Sequence, residues 1–226
     1  MTRIVVVIPA LNEAEAIASV IRRIPKYVDR IIVADNGSVD RTADAARGAG
    51  AQVVSEPRAG YGRACLAGVD AAGECDVLVF LDGDGSDFPE QMDRLVDPIM
   101  AGRADFVIGS RALGDAAPGA LTPPQVFGNR LASWLLGMRW GGRWTDLGPF
   151  RAIRLDAYRC LDMRAPTYGW TIEMQARALK RRLRVVEAPV DYAPRIGHSK
   201  ISGTAKGVVL AGAYILGTFF REAVTP

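Results

Sequence analysis

The chain has 226 residues, 49% of them apolar, enough to bury the core of one large α/β domain and too few for two full domains. Its 28 basic and 25 acidic residues leave a net charge of only +3, which speaks against a nucleic-acid partner. The three cysteines, Cys65, Cys75 and Cys160, lack the spacing of a zinc site or a disulfide framework, and Arg3 runs straight into an apolar stretch with no room for a secretion signal, so a reducing, cytoplasmic setting is expected.

Residues 4–8 are a β-branched run closed by Pro9, and from Asn12 or Glu13 onward Ile17, Val20, Ile21 and Ile24 fall at helical spacing, which predicts a strand, a loop and a helix. Residues 30–34 repeat the strand pattern, Asp35-Asn36-Gly37-Ser38 is a turn signal, and Asp40 or Thr42 caps a helix through Arg47. A third strand over 51–55 leads through Gly60-Tyr61-Gly62 to an alanine-rich helix over 63–72, and residues 77–81 and 105–109 supply two more strands. Alternation at this pitch predicts a doubly wound, mostly parallel sheet with helices on both faces, whose ligands bind beyond the carboxyl ends of the strands.

The second half is less regular. Residues 113–124, rich in Gly, Ala and Pro, read as a mobile loop. Residues 126–143 read as an amphipathic helix and its exit, with Phe127, Trp134 and Met138 interleaved with Arg130, Arg139 and Arg143, suited to packing or to a membrane surface. A strand over 145–153, a helix over 172–182 and a last strand over 184–192 follow. Residues 207–220 are apolar for 14 residues between Lys206 and Arg221. Because a membrane span needs about 20, this stretch is an interfacial helix, a helix packed on the core or an oligomer contact.

The most informative stretch is Phe80-Leu-Asp-Gly-Asp-Gly-Ser-Asp-Phe-Pro-Glu90. An apolar strand delivers Asp82 and Asp84 into a loop broken by Gly83 and Gly85, which frees both carboxylates to face one point. Such a pair suits Mg²⁺ or Mn²⁺, which takes one or two protein carboxylates and completes its shell with water and substrate phosphate oxygens. An acidic turn ahead of a helix begun by Pro89 is the plainer explanation of the same residues.

Taken in order, IPALNE after the first strand, DNGSVDRT after the second, GYGRA before the third helix and DGD after the fourth strand resemble the inverting family 2 glycosyltransferases of the GT-A fold. GSR at 109–111, TDLGPFRAIR at 145–154 and PRIGHSKISG at 194–203 are similar to the polyprenyl-phosphate branch, typified by dolichyl-phosphate mannosyltransferase. The resemblance implies a GT-A catalytic domain over 1–206 followed by an apolar helix over 207–226. It implies a nucleotide-sugar pocket of Pro9, Ala10, Asn12, Glu13, Asp35, Ser38, Arg63, Asp82 and Gly83, a metal on Asp82 and Asp84, and catalytic roles for Asp84 and Asp146, the latter in the place of a general base. Arg111, Arg130, Arg195, His198 and Lys200 become candidates for acceptor or diphosphate oxygens, since guanidinium groups bind phosphate through paired hydrogen bonds. His198 ranks first as a diphosphate contact, ahead of a metal ligand; Glu173 is an alternative base or a helix-face residue, and Trp170 either stacks on a sugar or packs.

The reaction so implied is metal-dependent hexose transfer with inversion, from a UDP- or GDP-linked sugar to a polyprenyl phosphate or another lipid-linked acceptor at the inner face of the membrane. Transfer to a soluble hydroxyl acceptor and a non-catalytic nucleotide-sugar-binding module remain as alternatives, and a homo-oligomer is compatible with the apolar helix. Two features depart from the resemblance: the C-terminal transmembrane helices of the longer members and their basic acceptor segment have no counterpart here. A dinucleotide fingerprint is rejected, because Gly60-x-Gly62 follows the wrong strand and Cys65 stands where the third glycine belongs.

Overall fold

The structure, a computed structural model, describes residues 2–197 and 205–225. In chain order the elements are β1 (Ile4–Ala10), α1 (Ile17–Arg23), β2 (Arg30–Asp35), α2 (Thr42–Gly48), β3 (Gln52–Ser55), α3 (Tyr61–Ala72), β4 (Val77–Phe80) and, after a 3₁₀ turn at Pro89–Gln91, α4 (Asp93–Met100). The second half holds β5 (Phe106–Ser110), α5 (Pro123–Trp140), β6 (Arg151–Arg154), α6 (Leu155–Leu161), α7 (Trp170–Lys180), β7 (Val185–Pro189) and α8 (Ala205–Val224).

The strands form one seven-stranded sheet in the order β3-β2-β1-β4-β6-β5-β7. β3, β2, β1 and β4 run parallel, as do β5 and β7, while β6 runs antiparallel to both of its neighbours. The apolar strands explain the two-sided burial directly. Side chains alternate across a pleat, so Val6 and Ile8 join the core beneath α1, α2 and α4, whereas Val5 and Val7 join the core beneath α3, α6 and α7. Each of these four side chains is at most 1% exposed, and full burial of a valine or isoleucine contributes roughly 1.5–3 kcal/mol.

Several boundaries differ from the sequence expectation for local reasons. β1 continues through Pro9 to Ala10 because the carbonyls of Val7 and Ala10 point to opposite neighbours. Pro9 shares the side of Val7, towards β4, where pairing has already ended at Phe80, so no ladder donor is missed. α1 starts only at Ile17: Asn12 takes a left-handed φ of 53°, and the next residues form a turn in which the Ala16 N–H donates to the Glu13 carbonyl. The strand expected over 145–153 is confined to Arg151–Arg154; Thr145 to Pro149 are irregular, and their backbone groups bond to side chains instead of a ladder. The short helix α6 goes unmarked in the sequence reading.

The apolar C-terminal stretch forms α8, longer than the run of apolar residues, and packs one face on α5 and α7. Phe219 there joins a third cluster with Ala132, Leu136, Leu147, Ile172 and Ala176. Its other face leaves Val209 71% and Phe220 58% exposed, and α5 leaves Phe127 70% and Trp134 58% exposed. No helix among the described residues is long and apolar enough to cross a membrane. All three cysteines are free thiols.

Candidate active site

The carboxyl ends of β1, β2 and β4 open onto one cleft, and local hydrogen bonds fix its rim. The Asn12 N–H donates to Ser38 Oγ at 2.9 Å, the Val39 N–H to Asn12 Oδ1 at 2.8 Å, and the Ser38 N–H to Asp35 Oδ1 at 3.3 Å, so the first two loops are stitched together. Buried Asn36 ties in the next two: its Nδ2 donates to the carbonyls of Glu56 and Arg58, and its Oδ1 accepts from the Gly60 N–H. Gly60 and Gly62 serve close approach, since a Cβ on either would lie about 2 Å from the carbonyl oxygens of Pro166 and Ala165 respectively.

Of the residues expected at the nucleotide, Pro9, Ala10, Glu13, Asp82, Gly83 and Asp84 line this cleft together with Asn36, Tyr61, Tyr168 and Arg195. Asn12, Asp35 and Ser38 stand behind the lining as the stitched layer just described, and Arg63 donates to the Ala59 carbonyl rather than into the cleft. A second cleft shares Tyr61, Asp82, Asp84, Tyr168 and Arg195 with the first and continues past Arg111, Asn129, Leu147 and Tyr192 to Ala211, Gly212 and Ile215 of α8. Arg130 faces neither; it lines a separate groove with Trp134, Met138, Arg143 and Trp144. His198 and Lys200 lie outside the described residues.

The acids at the junction are under mutual strain. Burial, and then the neighbouring charges of Asp84 and Asp87, hold the Asp82 carboxyl well above the usual carboxylate range, although the Tyr61 hydroxyl donates to it at 3.2 Å. Asp87, which the sequence reading does not single out, is 1% exposed, accepts the Asp82 N–H through Oδ2, and is pushed up to about 7, mainly by burial. Its Oδ1 has no hydrogen-bond partner. Asp84 accepts the Ser86 N–H, and Arg195 reaches across the cleft to Asp84 at 3.4 Å and Glu13 at 2.7 Å.

Asp82 and Asp84 suit a hard divalent cation: two crowded carboxylates face one cleft, and a cation there relieves the repulsion that raises Asp82. Among the described residues no group of three or more acidic, cysteine or histidine side chains could hold a metal. Among the described residues the site would then offer this pair, leaving the remaining positions to water and phosphate oxygens.

Asp146 and Arg111 are placed differently from the expectation of a free base and a free phosphate clamp. Asp146 is 1% exposed and lines neither cleft. Its Oδ2 accepts the Arg111 N–H at 2.7 Å and Nε at 2.9 Å, and its Oδ1 accepts Nη2 at 2.7 Å. Burial opposes the Arg111 charge, but the Asp146 carboxylate more than offsets it and holds the guanidinium above its ordinary value. Arg111 still borders the second cleft, beneath the Tyr192 ring at 5.0 Å.

Glu173 and Trp170 are structural. Glu173 is fully buried, accepts the N–H groups of Arg164 and Ala165, and pairs with Arg177 and Arg221. Trp170 is fully buried against Phe80, ring centroids 4.8 Å apart, and cannot stack on a sugar. Tyr61, Tyr168 and Tyr192, like Asn36 and Asp87, are site residues that sequence reasoning missed; of the three tyrosines only the one within the GYG motif carries a signal that could have found it.

A family model described as "Glycosyl transferase family 2" matches residues 5–162. A glycosyltransferase of Mycobacterium tuberculosis is 38% identical over 211 residues, covering 92% of this chain and 94% of the relative. The undecaprenyl-phosphate mannosyltransferase of Micrococcus luteus is 32% identical over 228 residues, covering 91% and 90%. Among solved structures, glucosyl-3-phosphoglycerate synthase from Mycobacterium tuberculosis, in complex with Mn²⁺, UDP and phosphoglyceric acid, superposes with a TM-score of 0.78 at 26% identity, covering 100% of this chain and 80% of that one. These structural neighbours share the GT-A fold.

Proposed function

The chain belongs to glycosyl transferase family 2, and from that premise we propose that it moves a hexose, with inversion, from a UDP- or GDP-linked sugar to a polyprenyl phosphate. The observation that carries the choice of acceptor is the capture of Asp146 by Arg111. A hydroxyl nucleophile needs a base to take its proton, whereas a phosphate is already ionised at neutral pH. Among the described residues the only carboxylates lining the second cleft are Asp82 and Asp84, which suit the metal, and Asp146 is withdrawn behind the guanidinium. Arg111 therefore serves the acceptor phosphate from the far side while Asp146 holds it in line.

Asp82 and Asp84 hold Mg²⁺ or Mn²⁺ against the donor diphosphate, as the Mn²⁺ and UDP complexes of the structural neighbour support. When bound, the cation supplies electrostatic neutralisation of the leaving nucleotide diphosphate. Pro9, Ala10, Glu13 and Asn36 shape the nucleotide end of the first cleft, and Arg195 exchanges its contacts with Glu13 and Asp84 for diphosphate oxygens. Leu147, Pro149, Ala211 and Ile215 give the acceptor side an apolar lining suited to a prenyl chain. The exposed apolar residues of α5 and α8, with Arg130 and Arg139 among them, suit peripheral contact with an anionic bilayer. The name of the Micrococcus relative agrees with this acceptor.

A second reading, transfer to a soluble phosphorylated acceptor, is favoured by the phosphoglyceric acid bound in the structural neighbour. Incubation with Mn²⁺ and radiolabelled UDP-glucose or GDP-mannose, with undecaprenyl phosphate in one arm and phosphoglycerate in the other, separates the two. Label extracted into organic solvent is the expected result. Label that stays in the aqueous phase, in a product formed only with phosphoglycerate, would overturn it.

A further inference from the structure

The segment from Thr145 to Gly148 has no ladder, yet side chains from three different elements take up its backbone. The Thr145 N–H donates to both Glu187 oxygens at 2.9 and 3.1 Å, the Asp146 N–H to Glu187 Oε1 at 3.0 Å, and the Thr145 hydroxyl to Glu187 Oε2 at 2.9 Å. Asn129 of α5 spans the middle, donating to the Thr145 carbonyl at 2.9 Å and accepting the Leu147 N–H at 2.8 Å. Arg151 of β6, fully buried, donates to the carbonyls of Leu147 at 2.9 Å and Gly148 at 3.0 Å.

An anion thus collects the donors at one end of the segment and a cation the acceptors at the other. Among the described residues neither Glu187 nor Arg151 forms an ion pair, although removing a charge from water costs several kcal/mol unless it is compensated. Both charges are committed mainly to four residues of irregular backbone, although Arg151 also donates to the Thr171 carbonyl. Their common product is the location of Asp146, and through its carboxylate that of Arg111, whose own N–H is bound to the same oxygen.

We propose that Glu187 is a positioning residue for sugar transfer: its carboxylate fixes the backbone at Thr145 and Asp146 and thereby aims the Arg111 guanidinium at the second cleft. Asn129 and Arg151 complete the cradle from the other side. The inference rests on the reading that Arg111 meets the acceptor phosphate, and it names Glu187 of β7 and Arg151 of β6, which line neither cleft, as acting on the acceptor without touching it. Glu187→Gln keeps the size of the side chain but replaces one acceptor oxygen with an amide donor that faces the Thr145 N–H. Thr145→Val removes the hydroxyl's bonds to Glu187 Oε2 and to Ser110 Oγ, and Thr145→Ser keeps both.

The test measures, on the full chain with Mn²⁺, binding of UDP and of geranyl phosphate by calorimetry. Glu187→Gln is expected to bind UDP within about twofold of the wild type and geranyl phosphate about tenfold more weakly, the loss expected for one or two hydrogen bonds. Thr145→Val should lose about threefold for geranyl phosphate alone, with Thr145→Ser restored to the wild-type value. A purely structural role would weaken both ligands together. Unchanged geranyl phosphate affinity in Glu187→Gln, or a parallel loss of UDP, overturns the proposal; if that variant does not fold, the Thr145 pair decides by the same criterion. If the wild type binds no geranyl phosphate, the acceptor reading is what has failed. The positioning claim is then read from amide hydrogen exchange: the Arg111 and Asp146 amides must exchange at least about tenfold faster in Glu187→Gln, with Val6 and Val7 unchanged.

Discussion

Arg111 and Asp146 face each other across 2.7 to 2.9 Å, and in the proposed reaction this pair sets how the acceptor phosphate is held. Lysine in place of Arg111 keeps the charge but loses the two-pronged grip on Asp146, so Arg111→Lys should lower transfer to undecaprenyl phosphate about a hundredfold while UDP binding stays within twofold. A transfer assay beside UDP calorimetry checks this. Asp105 illustrates the opposite kind of carboxylate, one that serves the fold. It accepts from the Arg184 N–H, Nε and Nη2, and chiefly those bonds hold its carboxyl down to about 2. Its folded pKa lies below its unfolded value of about 3.9, so its contribution is complete above about pH 4 and is lost as pH falls toward 2. Asp105→Asn should therefore flatten the dependence of stability on pH between about 2 and 4 and leave it unchanged above, as read from urea unfolding at successive pH values. Asp82 and Asp84 were legible because a strand ending in Asp-Gly-Asp is a local pattern. Glu187 was not: its partners lie 41 and 42 residues away, and they are backbone groups, which have no signature in sequence.

Elements built from continuous apolar runs could be read from their residues, and those held by side-chain-to-backbone bonds could not. β1, β2, β4 and β5 lie within two residues of expectation because each is a buried run that only a central strand explains. Residues 145–150 look like a strand by composition, but Gly148-Pro149 and the bonds to Glu187 and Asn129 hold them out of the sheet. α8 shows both regimes. Its inner face is fixed by Glu222, which pairs with Arg177 and Lys180, and by Arg221, which reaches the buried Glu173 at 3.0 Å. Glu173→Ala would strand Arg177 beside one carboxylate and free the N–H groups of Arg164 and Ala165, at an expected cost of about 3–5 kcal/mol in urea unfolding. Its outer face carries no such ties. The double variant Val209→Glu, Phe220→Glu should leave the melting temperature within about 2 °C of wild type and sharply reduce co-sedimentation with phosphatidylglycerol vesicles.

At the scale of the whole molecule, a mostly parallel sheet brings the carboxyl ends of β1, β2 and β4 together and leaves two clefts that meet at Asp82 and Asp84. In the proposed reaction donor and acceptor approach one another across the same pair of acids, the arrangement a direct displacement requires. The mostly parallel architecture followed from the alternation of strands and helices in the sequence. The antiparallel insertion of β6 did not, because pairing direction depends on a chain reversal that four residues of β-branched and basic composition do not encode. The central claim is that the two acids hold a divalent cation against the diphosphate of a nucleotide sugar. It is tested most directly by thermal unfolding with Mn²⁺ alone, with UDP-glucose or GDP-mannose alone, and with both, in the wild type and in Asp84→Asn. At a ligand concentration about a hundredfold above Kd, one of the two nucleotide sugars together with Mn²⁺ should raise the wild-type midpoint by roughly 5–10 °C, with little effect of either component alone and none in Asp84→Asn. An equal rise without Mn²⁺, or an equal rise in Asp84→Asn, would contradict it.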